Sequence, residues 1–147
     1  MSDWVEVCPY DGIYPDTGVC ALVDGRQVAV FRLSDGTLHA LSNHDPFSGA
    51  NVMSRGIVGD RGGEPKVASP IYKQTFKLRT GVCYEDPTVR LDVYRVRRRS
   101  GVVEVFADPV DAAEPELDDE TLDGLGYSPS AEPTPGRKGA GDRAGYR

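Results

Sequence analysis

The sequence predicts an all-β domain, a small sandwich or barrel of short antiparallel strands, followed by an acidic tail. Three observations predict this. Short runs rich in Val, Leu, Phe, Tyr and Thr recur through residues 1–107, each bounded by Gly, Asp, Asn or Pro. No segment there holds a 3.6-residue apolar repeat longer than one turn, near residues 48–53. From Asp108 the strand-forming residues nearly vanish, and Pro109, Pro115, Pro129, Pro133 and Pro135 punctuate a stretch of Asp, Glu, Gly and Ala. The division is therefore 1–107 for the folded domain and 108–147 for the tail.

The strands follow in order. Residues 19–23 lead through Asp24-Gly25, a two-residue hairpin signal, into 27–33. Ser34-Asp35-Gly36 turns the chain into 38–42. After an irregular stretch, 57–58 and 66–69 form a hairpin closed by Asp60-Arg61-Gly62-Gly63. Residues 75–78 follow, then 91–97, a turn at Ser100-Gly101, and 102–106. Roughly eight or nine strands in a domain of this length bury a core without disulfides. Phe31, Phe76, Tyr94 and Phe106 are its aromatic core candidates. The tail cannot bury enough apolar area to offset its chain entropy and is predicted mostly disordered. Its candidate anchors are Val110, Leu117, Leu122, Leu125 and Tyr127, with a marginal helix over 116–125.

Charge narrows the function. The chain has 147 residues, 17 Lys+Arg and 23 Asp+Glu, a net charge of −6. Residues 1–107 carry 13 basic and 13 acidic side chains, so the whole excess lies in the tail. A neutral body with an acidic tail is a poor nucleic-acid binder. The longest apolar run, 19–23, is far short of the about 20 residues that span a bilayer. Asp3 and Glu6 at the start do not suit a signal peptide. Three cysteines, Cys8, Cys20 and Cys83, with no C-x-x-C, argue against a disulfide scaffold or a zinc knuckle. The expectation is a cytoplasmic protein with no membrane and no nucleic-acid partner.

The informative residues lie in two loops, Ser42-Asn43-His44-Asp45-Pro46-Phe47-Ser48 and Ala68-Ser69-Pro70-Ile71-Tyr72-Lys73-Gln74. The layout is a strand, a polar loop, a Gly-bearing hairpin, a second Pro-containing polar loop, then a strand and Thr80-Gly81. It resembles the Rieske ferredoxin domain from Trp4 to Ala107. The resemblance implies a [2Fe–2S] cluster held by C-x-H in the first loop and C-x-x-H in the second. Those four positions fall on Asn43, Asp45, Ser69 and Tyr72. Amide, carboxylate, hydroxyl and phenol oxygens lack the softness that an iron–sulfur core requires. No Cys lies within two residues of His39 or His44, and Cys83 follows the second loop. A Rieske fold without a cluster is expected, with metal ligands and cofactor-binding residues absent from this chain.

A narrower resemblance rests on Gly18-Val19-Cys20-Ala21-Leu22-Val23, Asp45-Pro46-Phe47-Ser48, Ser54-Arg55-Gly56-Ile57-Val58-Gly59-Asp60, Ala68-Ser69-Pro70, Lys73-Gln74 and Thr80-Gly81-Val82-Cys83. These look like the small subunits of assimilatory NAD(P)H-dependent nitrite reductases. That family implies an oxidoreductase complex reducing nitrite to ammonium. FAD, iron–sulfur cluster and sirohaem would sit on a large catalytic subunit, and the present chain would have no catalysis of its own. A stand-alone Rieske-type electron-transfer ferredoxin with an unconventional cluster is the alternative, and a generic interaction module a third.

Within this frame Asn43, Asp45, Ser69 and Tyr72 are expected to tie the two loops by hydrogen bonds, with Asp45-Pro46 and Ser48 forming a capped turn. Asp45, Phe47, Arg55, Lys73 and Gln74 are the candidate contacts for the large subunit, with Lys66 and Lys77 nearby. A His44–Asp45 general base lacks an assignable nucleophile. Arg55-Gly56 and Gly59-Asp60-Arg61-Gly62-Gly63 lack a phosphate-loop pattern. Alternation puts Arg95, Arg97 and Arg99 on one strand face and Tyr94 and Val96 on the other. That basic face either meets water or meets an acidic partner or the tail. The cysteines fit packing better than redox chemistry.

Overall fold

The computed structural model describes residues 3–110. The tail, with its expected disorder and helix, lies outside them apart from its first three residues. Among the described residues nine strands form, β1 Trp4–Pro9, β2 Thr17–Val23, β3 Arg26–Arg32, β4 Leu38–Ser42, β5 Ile57–Arg61, β6 Glu64–Ala68, β7 Thr75–Lys77, β8 Val93–Arg99 and β9 Val102–Pro109. A six-stranded antiparallel sheet has the order β1-β9-β8-β4-β3-β2, and a three-stranded sheet the order β5-β6-β7. The edge strands β1 and β2 approach each other, so the large sheet is nearly a closed barrel.

The predicted turns close as their residues require. Asp24 and Gly25 take φ of 52° and 81°, Ser100 and Gly101 of 52° and 79°, the left-handed pairs that match hairpin twist. The predicted helical turn is a single 3-10 turn, Met53–Arg55. β1 was not singled out in the sequence, because its partner β9 is remote in the chain and no hairpin signal joins them. Leu91 lies outside β8, where its N–H bonds Gly81 O at 2.8 Å instead. β9 continues to Pro109, two residues past the compositional boundary, and Val110 follows it onto the core with its N–H on Val93 O at 2.7 Å.

β3 organises the interior because both its faces are buried. Val28 and Val30 enter one core with Val23, Leu38, Ala40, Tyr94, Val96, Val103 and Val105, inside the barrel. Ala29 and Phe31 enter a second with Leu41, Met53, Val67, Phe76, Leu78 and Cys83, between the two sheets. Such a strand reads as a continuous apolar run, Val28-Ala29-Val30-Phe31, rather than an alternation. Tyr10 closes the barrel end. Its backbone N–H donates to Gly101 O at 2.9 Å and its hydroxyl to Gly36 O at 2.8 Å. The Arg32 and Arg98 guanidinium carbons lie 4.2 and 3.9 Å from its ring centroid.

Phe106 corrects the expected core. Val103 and Val105 point into the barrel, so alternation turns Phe106 outward, half-buried. There it meets Trp4 edge-on at 5.3 Å. Arg97 bonds Glu104 at 2.6 Å and lies 3.9 Å from the Trp4 ring, while Arg95 lies 5.3 Å from Phe106. Arg95 and Arg97 therefore form a packed cation–aromatic ladder on the outer face, not a bare solvated strip.

His39 on β4 is buried. Its Nε2 lies 3.2 Å from Thr37 Oγ1, whose hydroxyl donates to Asp35 Oδ1 at 2.8 Å. That donation leaves the Thr37 oxygen to accept, which makes His39 the neutral Nε2–H tautomer. Nδ1 is buried with no hydrogen-bond partner. Burial, with the Arg79 charge added and Asp35 opposing, lowers its pKa from 6.5 to about 4. Between those values the unfolded chain takes up a proton that the folded chain refuses. Stability is therefore full above pH 6.5 and falls by about 3 kcal/mol on acidification to pH 4. Denaturant titrations across this range should show that slope, and His39→Gln should flatten it.

Candidate functional site

The two loops converge where β4 ends and β6 gives way to β7. Asp45 is fully buried, a costly place for a carboxylate unless donors surround it. Four do. Oδ1 accepts the N–H of Phe47 at 2.9 Å and of Ser48 at 3.4 Å, and Oδ2 accepts the hydroxyls of Ser48 at 2.9 Å and Ser69 at 2.6 Å. Burial raises the Asp45 pKa, but these bonds outweigh it, led by Ser69, and hold the group below its ordinary value. The Ser69 contact joins the loops directly. The Asp45–Ser48 turn takes the capped form expected from its residues.

Asn43 is also buried, yet it ties the first loop to the large sheet rather than to the second loop. Its Oδ1 accepts Ser54 N–H at 2.7 Å, and Nδ2 faces Gln27 Oε1 and Asn51 O, each at 3.1 Å. Cys20 Sγ stands 3.4 Å from the same nitrogen. Tyr72 departs from expectation altogether, being 61% exposed and outside the clasp. The second loop is braced by Ser69 N–H on Gln74 O at 2.9 Å, Lys73 N–H on Ser69 O at 3.1 Å and Ile71 N–H on Ser69 Oγ at 3.2 Å. Gly56 permits the close approach of the first loop. A Cβ there would stand 2.5 Å from Ala68 O and 2.7 Å from Val67 Cγ2.

The contact candidates divide. Asp45 is inaccessible because the clasp consumes both its oxygens. Gln74 is half-buried, with a buried Oε1 that has no hydrogen-bond partner. Phe47 packs inward, 6.2 Å from Phe76 between centroids. Arg55 and Lys73 are exposed. The sequence reading missed Ile57 and Ile71, exposed at 63% and 43% beside them. The available signal was an apolar residue at each loop edge with no place in either core. Lys66 and Lys77 face each other across β6 and β7. Lys77 and Arg61 both approach the Tyr84 ring, at 5.5 and 4.5 Å. Burial first, and then Glu64, raise the Tyr84 pKa to about 12.

His44 and Asp45 are placed apart in their surroundings, one exposed and the other buried. His44 is exposed, with Nδ1 3.2 Å from Asn51 Oδ1. Cys8 and Cys83 have thiol pKa values raised by burial, which disfavours the reactive thiolate. The donor set does not fit a [2Fe–2S] cluster. The positions that would hold it offer amide, carboxylate, hydroxyl and phenol, and two of them are spent on each other. Among the described residues no group of three or more His, Cys, Asp or Glu side chains is placed to hold a metal ion.

The Rieske-like [2Fe-2S] domain pattern matches residues 3–106. The chain is 46% identical over 106 residues to the nitrite reductase (NADH) small subunit of Salmonella typhimurium, covering 71% of this chain and 98% of that one. A Mycobacterium tuberculosis crystal structure, assigned as an NADH-dependent nitrite reductase small subunit, superposes with TM-score 0.71 at 52% identity. That match covers 75% of this chain and 99% of the other. A third similarity, 49% over 78 residues and 53% of this chain, lies within 8% of the nitrite reductase [NAD(P)H] large subunit of Klebsiella oxytoca.

Removing one clasp partner leaves a buried polar group unsatisfied, at about 1–3 kcal/mol. Ser69→Ala should lower stability by that amount, measured by denaturant unfolding. Asp45→Asn should cost at least as much, and Tyr72→Phe should be neutral.

Proposed function

This chain belongs to the nitrite reductase small-subunit family of Rieske-like [2Fe-2S] domains, and from that premise we propose that it binds and supports the large catalytic subunit of an assimilatory NAD(P)H-dependent nitrite reductase. The observation that carries this reading is the similarity to a segment inside a large subunit. One polypeptide there holds both this kind of domain and the larger protein, so the two are expected to work in contact. The complex reduces nitrite to ammonium. FAD, iron–sulfur cluster and sirohaem reside on the large subunit, and this chain holds no cofactor and has no activity alone.

The donor chemistry supports the last point. Asp45 and Ser69 meet in a hydrogen bond at the junction where a cluster domain would place soft ligands. No residue there stores or passes an electron. The subunit acts by contact, keeping the partner's fold or orientation. The free cysteines and the lack, among the described residues, of a helix long and apolar enough to cross a membrane suit a cytoplasmic enzyme.

Tagged chain recovered from its host grown on nitrate should carry a large polypeptide and the absorption of sirohaem. Recovery of the chain alone and colourless from those cells would reject the subunit reading. The chain expressed by itself under cluster-loading conditions should contain no stoichiometric iron; a bound [2Fe–2S] centre would favour the stand-alone ferredoxin. Deletion of its gene should abolish growth on nitrite and spare growth on ammonium.

A further inference from the structure

Five large apolar side chains are exposed among the described residues, Tyr14, Leu22, Ile57, Ile71 and Tyr72. Three belong to one end of the small sheet. Ile57 opens β5 and pairs with Ala68, the residue before Ser69, while Ile71 and Tyr72 form the tip of the β6–β7 loop. Nothing about this tip is loose. Ser69 is held by Asp45, three bonds to Ser69 brace the loop, and Lys73 Nζ returns to Pro70 O at 3.2 Å. Lys73 itself takes φ of 68°, a left-handed conformation that costs a non-glycine residue energy and persists because the surrounding bonds enforce it. The chain thus builds a rigid, strained loop to hold apolar side chains in water.

The exposed cations beside the tip are Arg55 and Lys73. The carboxylate next to the loop, Glu85, is engaged by the Thr75 N–H at 2.9 Å and hydroxyl at 2.8 Å. The acid that closes the site, Asp45, is buried and consumed by its donors. An apolar centre with a basic rim calls for a partner surface that is apolar at its middle and acidic around it. A preformed tip also loses little conformational freedom on binding, and Tyr and Arg are residues that carry binding energy at interface centres.

We propose that the large catalytic subunit docks on this tip, with Ile57, Ile71 and Tyr72 as the buried centre and Arg55 and Lys73 facing carboxylates of that subunit. The proposal rests on the subunit reading above. The face is contiguous with the Asp45–Ser69 clasp, so the clasp is a positioning device for a docking loop. Ser69→Ala loosens the tip and weakens binding without removing any contact residue.

The test is affinity between the purified large subunit and the full chain, read by biolayer interferometry at low and high salt. The Ile57→Ser/Tyr72→Ser double variant should bind at least about tenfold more weakly. Arg55→Glu/Lys73→Glu should weaken binding and flatten its salt dependence. Tyr14→Ser/Leu22→Ser, which removes exposed apolar groups from the large-sheet half, should bind within about twofold of the wild type. Thermal melts establish that each variant is folded; Arg55→Glu/Lys73→Glu replaces exposed side chains and no core residue, giving up the Lys73–Pro70 bond alone, and keeps the test valid should the double Ser variant unfold. Wild-type binding with both tip variants unaffected would overturn the docking face and leave the subunit reading intact. Absence of wild-type binding would overturn both. A dimer of the chain alone that the tip variants dissolve, with large-subunit affinity unchanged, would assign the face to a second copy and overturn the proposal.

Discussion

A single hydrogen bond, Ser69 Oγ to Asp45 Oδ2 at 2.6 Å, joins the two loops at the end of the molecule where β4 ends and β6 gives way to β7. It is strong because it is charge-assisted and buried, where low dielectric strengthens a satisfied bond and penalises an unsatisfied one. The carboxylate survives in that setting because two backbone N–H groups and the Ser48 hydroxyl complete its shell. Its ionised form is favoured, so the tie holds throughout the neutral range and is lost only as pH falls through a value below the ordinary carboxylate pKa.

The clasp is effective because each loop is also fixed at its root. Asn43 fastens the first loop to Gln27 at the start of β3 and to the turn at Ser54. The second loop grows from β6 and β7, whose Val67 and Phe76 sit in the core between the sheets. β3 contributes to both cores, so the barrel and the small sheet share one strand of support. Truncating Phe31 or Phe76 would remove about 3–5 kcal/mol from that support. The loops are thus held in register by packing below and hydrogen bonds above.

At this end the two loops are tied by hydrogen bonding between a carboxylate and a hydroxyl. A metal fixes ligands by strong directional bonds and needs soft donors. A carboxylate–hydroxyl pair fixes two loops at roughly 1–3 kcal/mol and needs no cofactor loading. The geometry of the loop end is set by these bonds and by the packing below them.

Much of this was readable from composition and local pattern. The all-β class, the hairpins at Asp24-Gly25 and Ser100-Gly101 and the inward Tyr94 and Val96 follow from turn chemistry and strand period, which are local properties. The pairing of Asp45 with Ser69 was expected as part of a fourfold tie, but whether Asn43 or Tyr72 joined it was not decided by sequence. Asn43 turned to the large sheet and Tyr72 to solvent, because the register of β2, β3 and the 3-10 turn places acceptors beside one and nothing beside the other. Burial of Asp45, exposure of Ile57 and Ile71, and the outward turn of Phe106 are likewise consequences of which face each strand presents to its neighbours. A side chain's type is written in the sequence; its surroundings come from segments remote in the chain, and only their packing decides whether it holds the fold or meets a partner.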